Sequence, residues 1–427
     1  MLDVRLLRTG VDEVRSGLAR RGETVDVDRL IGLDEEHRGV LAESERLKAE
    51  RNARSKEIGR LIAEGKKSDA EGLKAEMRDV GDRIQALDEQ AAALKSTLDA
   101  LLLEVPNLPH DSVPAGGPEA NEIVRTWGEP RKLGFEPRAH WDLGPALGIV
   151  DFERAVKVAG SGFVGLVGEG AALARALISF MLDRHRAAGY LELAPPYLVN
   201  PATATATGHL PKFQDQLYHV ERDELYLIPT AEVPIMGWHR DEILEEADLP
   251  LEYCAHTPCF RRESGAHGRD TRGLIRVHQF DKVEMVKITR PEDSYDALEA
   301  LTADAEGVLQ ALELPYRVVL LAAGDMGNAA AKTYDLEVWA PGAGAWLEVS
   351  SCSNCEDYQA RRSNLRYRPA NAGGTRFPHT LNGSGVALPR TLIALLENHQ
   401  GADGGVTVPA ALRSYLSGRE TLAPPGA

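Results

Sequence analysis

The run Cys259-Phe260-Arg261-Arg262-Glu263 is followed, after a polar and glycine-containing loop, by Val277-His278-Gln279-Phe280-Asp281-Lys282-Val283-Glu284. The flanks read as strands and the whole as a hairpin with a basic loop. Five arginines lie within it (Arg261, Arg262, Arg269, Arg272 and Arg276), which suits a polyanion better than an ordinary surface loop does. Residues two apart on a strand share a face. Arg261 and Glu263 therefore pair on one side, as do Phe280, Lys282 and Glu284 across the hairpin. A face with an arginine, two carboxylates and an aromatic ring can hold a nucleotide and an amine together.

Other candidates are weaker alone. Four cysteines, Cys254, Cys259, Cys352 and Cys355, are too few for a disulfide framework in a chain this long. Their C-x4-C and C-x2-C spacings are far apart in sequence, and reduced thiols packed near a pocket are the favoured reading, with no zinc expected. Gly160-Ser161-Gly162-Phe163-Val164-Gly165 matches G-x-G-x-x-G. A dinucleotide fingerprint needs a strand before it and a helix opening inside it. Here Phe163 to Val167 reads as a strand and the helix begins near Gly170, so a glycine-rich turn leading to a strand is expected. By residue type alone, Phe280 reads as a core aromatic, Glu348 as a half-buried carboxylate paired with an arginine, and Thr230 and Ser384 as turn residues.

The elements that position these residues fall in two parts. Leu73, Met77, Val80, Ile84, Leu87, Ala91, Leu94, Leu98 and Leu101 form an unbroken heptad stripe. The same rhythm, more polar in its middle, runs from Leu30 to Leu61. A short polar turn with Gly65 joins them, which predicts an antiparallel helical hairpin of roughly 50–60 Å. The chain carries a net charge of −16, yet residues 46–78 hold ten Lys and Arg against six Asp and Glu. A solvated coiled-coil face or a dimerisation arm would also explain that patch. Phosphate binding is local, so the global charge does not exclude a nucleic acid partner. A Pro- and Gly-rich stretch from Val105 to Pro118 ends the helices, and beyond it helical and strand-like patterns alternate. No apolar run reaches the ~20 residues of a membrane helix, and Met1-Leu2-Asp3-Val4-Arg5 lacks the features of a signal peptide. We therefore expect a cytoplasmic protein with no membrane association.

Phe260-Arg261-Arg262-Glu263, the basic loop and Arg276 to Glu284 resemble motif 2 of the class II aminoacyl-tRNA synthetases, in the bacterial seryl form. Other segments agree in order and spacing. The strand Leu225 to Ile228 running into Pro229-Thr230-Ala231-Glu232 is similar to the family's amino-acid loop. Glu348-Val349-Ser350-Ser351 matches a further family segment. His379 to Arg390 followed by the helix Thr391 to Gln400 looks like motif 3, with Pro389 where many members have glycine. Ala171 to Ala188 and the following strand with Pro195 and Pro196 look like motif 1, which forms the homodimer interface in the family.

The resemblance implies an α+β chain: an N-terminal antiparallel coiled-coil hairpin, then a class II catalytic domain built on an antiparallel sheet flanked by helices. The corresponding boundaries are 1–104 for the tRNA-binding domain, 105–134 for a linker, 135–418 for the catalytic domain and 419–427 for a tail. Too few residues follow the last helix for an anticodon domain. The implied activity is a serine–tRNA ligase, which activates L-serine with ATP and loads it onto tRNA(Ser), and onto tRNA(Sec) where one exists. Arg261 is implied at the α-phosphate and the serine carboxylate, and Arg390 at the γ-phosphate and adenine. The wider ATP set is Arg262, Glu263, Val277, Phe280, Glu348, Val349, Ser350 and Ser351, with Glu348 and Ser351 as Mg²⁺ ligands. Thr230, Ala231, Glu232, Arg261, Glu284 and Ser384 form the implied serine pocket. The basic loop Gly268 to Arg276 would contact the acceptor end, and the arm would grip the tRNA body. The rival readings are a ligase charging a carrier protein with a small amino acid, a non-catalytic relative, and a coiled-coil scaffold.

Overall fold

The computed structural model describes every residue except 265–271, 425 and 427. It contains two compact units, one of Leu2–Ala19 with Thr24–Val105 and one of Met1, Arg20–Glu23 and Pro106–Ala427.

The first unit is dominated by two long helices, α1 (Val27–Ala63) and α2 (Lys67–Glu104). At 1.5 Å per residue each is about 55 Å long. The Asp26 carboxylate caps α1 by accepting the Arg29 N–H at 2.9 Å. Gly65 takes a left-handed φ of 77° in the turn between the helices, a conformation that favours glycine. The heptad stripe is the seam: Ile84, Ala91 and Leu98, seven apart, are buried with Leu30, Leu47 and Leu61 of α1. Where the α1 stripe turns polar, hydrogen bonds cross the seam instead. Ser44 Oγ donates to Asp88 at 2.6 Å and Lys48 Nζ to the same carboxylate at 3.0 Å. No helix among the described residues is long and apolar enough to cross a membrane.

The second unit is built on eight strands: β1 (Glu122–Trp127), β2 (Leu191–Glu192), β3 (Leu251–Phe260), β4 (Gln279–Thr289), β5 (Tyr316–Leu320), β6 (Lys332–Ala340), β7 (Ala345–Asn354) and β8 (His379–Ala387). Their order is β1-β5-β6-β7-β8-β4-β3-β2. All neighbours are antiparallel except β2 and β3. Helices α3 (Glu169–Ala187), α5 (Ser294–Ala311) and α7 (Leu388–Asn398) contribute Leu177, Leu301 and Ile393 to one apolar core with the sheet's Val283, Met285 and Leu336. Two shorter helices, α4 (Glu232–Trp238) and α6 (Tyr358–Ser363), lie between these in the chain.

Two bulges re-aim side chains on the other face of the sheet. Leu336 pairs with Ser350 and Glu337 with Glu348, which leaves Val349 as an extra residue in β7. Val349 turns into the core. Glu348 and Ser351, three apart, would face opposite sides of a regular strand, and the extra residue brings them to one side. In β8, Glu284 of β4 pairs with Ser384 and Lys282 with Ala387, three steps against two. Val386 takes a positive φ of 92° there.

Two expected strands are shorter in the structure. Of Phe163 to Val167, only Gly165–Leu166 pairs. The glycines before it serve other ends: Gly160, φ 92°, closes the helix Phe152–Ala159, and a Cβ on Gly162 would lie 2.1 Å from the His278 ring. This is a turn, as expected, with no phosphate loop. β3 stops at Phe260. The Arg261 N–H still bonds His278 O at 2.9 Å, but Arg262 N–H turns to Gln216 O at 3.0 Å and Glu263 takes a φ of 51°. The strand pleat therefore does not relate Arg261 to Glu263. All four cysteines are buried free thiols, and burial pushes Cys254 and Cys352 up to about 12.

Ser384 is flanked by glycines for a packing reason. A Cβ on Gly385 would sit 2.3 Å from His185 Nε2 of α3, and one on Gly383 would sit 2.9 Å from Cys352 Sγ. Gly385→Ala is expected to destabilise this unit by about 1–3 kcal/mol through overpacking. Thermal unfolding would read this as a fall of several degrees, and an unchanged melting temperature would mean the helix is not held that close.

Candidate active site

A cavity of about 430 Å³ opens on the sheet face away from the apolar core. Strand β4 supplies Phe280, Lys282 and Glu284, and β8 supplies Asn382 and Ser384. The β7 bulge adds Glu348 and Ser351, and the first turn of α7 adds Arg390. Thr230 and Glu232 enter from the segment that opens α4, while Arg261, Glu263, Arg276 and Val277 come from the ends of the β3–β4 connection.

The cavity thus gathers most of the candidates. Four do not line it. Ala231 is buried in a small core beneath it, Arg262 is exposed, and Val349 lies in the main core. Ser350 is buried, its hydroxyl donating to Ser384 O at 2.6 Å, so it braces that strand. His209, Asn382 and Lys282 line the cavity without having been given a role from sequence. Lys282 was visible in the pleat. Asn382 and His209 sit in runs with no chemical spacing to mark them. The basic loop expected at Gly268 to Arg276 lies outside the described residues up to Thr271.

The buried end of the cavity is crowded with charge. Lys282 Nζ lies 2.5 Å from Glu284 Oε2, and Ser384 Oγ donates to the same oxygen at 3.4 Å. Glu284 is only 1% exposed. Asn382 Nδ2 donates to Glu232 Oε1 at 3.1 Å. Burial, then the Glu284 charge, pushes the Glu232 carboxyl up to about 7, against the pull of Gln359, Lys282 and Arg261. His209 moves down to about 3, first through burial and then through the positive charges of Arg261 and Lys282, so it is neutral.

The open end is differently equipped. Arg261 donates from Nε to Pro229 O at 3.2 Å and lies 5.2 Å from the Phe280 ring centroid. Pro389 lies in the first turn of α7, where the absent N–H costs nothing. Arg390 next to it donates to Glu348 Oε2 at 3.0 Å, to Glu348 O at 2.7 Å and to Ile275 O at 3.2 Å. Glu348 is therefore paired with an arginine, as its type suggests, but its side chain is exposed rather than half-buried. Arg276 Nη1 bonds Glu263 at 2.5 Å.

Glu348 and Ser351 bring a carboxylate and a hydroxyl to the cavity. Asp335 of β6, opposite Ser351 in the ladder, is half-buried, its Oδ1 enclosed and unpartnered. Burial and the nearby Glu348 charge push its carboxyl well above the usual range. The Glu348 carboxylate, the Ser351 hydroxyl and the unpartnered Asp335 oxygen are hard donors of the kind a divalent ion takes. The cavity as a whole offers two arginines and an aromatic ring at one end, and two carboxylates with a hydroxyl at the other.

Known proteins resemble this chain along nearly its whole length. Residues 1–109 match the seryl-tRNA synthetase N-terminal domain, and residues 216–399 match the tRNA synthetase class II core domain (G, H, P, S and T). A serine–tRNA ligase of Geobacillus thermodenitrificans is 55% identical over 425 residues, covering 99% of this chain and all of its own. The seryl-tRNA synthetase of Pyrococcus horikoshii, solved with ATP, superposes with a TM-score of 0.94 at 42% identity, over 99% of this chain and 100% of its own. The cytoplasmic serine–tRNA ligase of Naegleria fowleri, solved with AMP, gives 0.89 at 32% identity, over 100% and 99%. With relatives this similar along both units, the chain belongs to the seryl-tRNA synthetases, a long helical hairpin joined to a class II synthetase core.

Proposed function

We propose that the chain is a serine–tRNA ligase. It joins L-serine to ATP, giving seryl-adenylate and pyrophosphate, and passes serine to the 3′ end of tRNA(Ser), and of tRNA(Sec) where the cell makes one. The observation that carries the reading is the two-ended cavity: Glu232, Glu284 and Ser384 at the buried end, and Arg261, Phe280, Glu348, Ser351 and Arg390 at the open end.

In the first step a serine carboxylate oxygen bonds the α-phosphorus and the bond to pyrophosphate breaks. Two anions must meet, so positioning and charge neutralisation do most of the work. Arg261 holds the α-phosphate and the serine carboxylate. Arg390 takes the γ-phosphate and packs on the adenine, and Phe280 stacks on its other face. Glu348 and Ser351 would hold magnesium, which would neutralise phosphate charge. Glu232 and Thr230 receive the serine ammonium, and Glu284 and Ser384 its hydroxyl. Alanine has no hydroxyl to offer Glu284 and Ser384 and loses those hydrogen bonds. Threonine must be refused for want of room for its methyl group.

In the second step the terminal ribose hydroxyl of the tRNA attacks the seryl carbonyl and AMP leaves. The basic residues of α1 and α2 grip the tRNA body. Helix α3 and the edge strand β2, whose Leu191 is 63% exposed, support a homodimer. ATP, serine and tRNA meet in the cytoplasm, where we place the enzyme.

Two outcomes are expected. Arg261→Ala should slow serine-dependent ATP–pyrophosphate exchange about 10²–10³-fold, the cost of losing one preorganised donor. Exchange at the wild-type rate would remove Arg261 from the α-phosphate. Deleting residues 36–90 should leave exchange intact while aminoacylation of tRNA collapses and its salt dependence flattens. Undiminished charging would contradict the role of the arm.

A further inference from the structure

Gln359 lies on α6, wholly buried, and does not line the cavity. Its Nε2 donates to Glu232 Oε1 at 2.5 Å and, at 3.4 Å, to Thr207 O. Its own Oε1 accepts the Thr380 hydroxyl at 2.7 Å. A side-chain amide can turn over, and turned over it would set its oxygen against the carboxylate. The Thr380 hydroxyl has one proton, and giving it to Oε1 keeps the N–H of Gln359 toward Glu232. Asn382 donates to the same Glu232 oxygen at 3.1 Å. Both amides therefore converge on Oε1. Among the described residues Oε2 has no hydrogen-bond partner, and Glu232 borders the cavity.

We propose that Gln359, keyed by Thr380, is a positioning residue for amino-acid recognition: it ties down one oxygen of Glu232 so that the other meets the substrate ammonium. This rests on the reading of Glu232 as the ammonium partner. The bond from Gln359 also favours the ionised carboxylate, which the ammonium needs. The other groups facing Glu232 are Glu284 and Lys282 of β4, Arg261, His209 and Cys355. Burial and the Glu284 charge work against ionisation, and Lys282 and Arg261 work for it. Removing the Gln359 donor should thus raise the pH at which Glu232 gives up its proton. Serine activation would then weaken at a higher pH than in the wild type.

The test is ATP–pyrophosphate exchange by the full chain, with serine and ATP titrated separately from about pH 6 to 9. Gln359→Met keeps the length and removes the donor. It should raise KM for serine roughly 10–100-fold, as for a hydrogen bond to a charged group, and leave KM for ATP unchanged. The acid limb of kcat/KM for serine should move to higher pH. Thr380→Val should shift both readings in the same direction by less, and it carries the test alone should Gln359→Met not fold. A fall in kcat alone, with serine KM and the acid limb at their wild-type positions, would make Gln359 a structural residue and overturn the proposal. Glu232→Gln separates the two levels. If it raises serine KM while Gln359→Met does not, only the positioning role fails. If Glu232→Gln leaves serine KM unchanged, the ammonium reading fails and the inference fails with it.

Discussion

Two carboxylates share the buried end of one cavity, and much of the surrounding structure exists to make that tolerable. Glu284 is almost wholly buried and held by Lys282. Among the described residues no lysine or arginine is bonded to Glu232, which relies on the amides of Gln359 and Asn382. A buried charge without a full partner costs several kcal/mol, and here the cost appears as a carboxyl pushed up to about 7. The pocket is electrostatically incomplete until a cation enters. In the proposed function an amino acid's ammonium would complete it, and the same molecule's carboxylate would face Arg261. Recognition and activation are in this sense one arrangement of charge along a single axis.

Holding that arrangement requires departures from regular strand geometry. An uninterrupted β7 would turn Glu348 and Ser351 to opposite faces, and Val349 prevents it by leaving the ladder for the core. In β8 the bulge before Ala387 carries the chain into α7 so that Arg390 arrives beside Glu348. Gly383 and Gly385 leave no side chains on the helix side, which lets α3 and α5 pack close behind Ser384. The arm obeys a simpler rule, a heptad seam whose polar middle is bridged by Ser44 and Lys48 to Asp88.

The same contrast explains what the sequence revealed. The arm was legible because one spacing repeats over many turns. Phe280, Lys282 and Glu284 were legible because β4 keeps its pleat. Glu348 and Ser351 could not be placed on one face by alternation, and only family resemblance joined them. Arg261 and Glu263 were expected to share a strand face, yet they reach the cavity through a turn with a left-handed residue. Gln359 and Asn382 were silent. A buried amide in a short helix and another in a strand acquire meaning only when a distant carboxylate packs against them.

The account stands most directly on amino-acid-dependent ATP–pyrophosphate exchange in the absence of tRNA, with serine compared against alanine, glycine, threonine and cysteine. The charge arrangement predicts strong exchange with serine and little with the others, alanine failing because it offers no hydroxyl to Glu284 and Ser384. Exchange driven equally well by alanine or glycine would contradict it, and no exchange with any of them would mean that the cavity does not perform this chemistry.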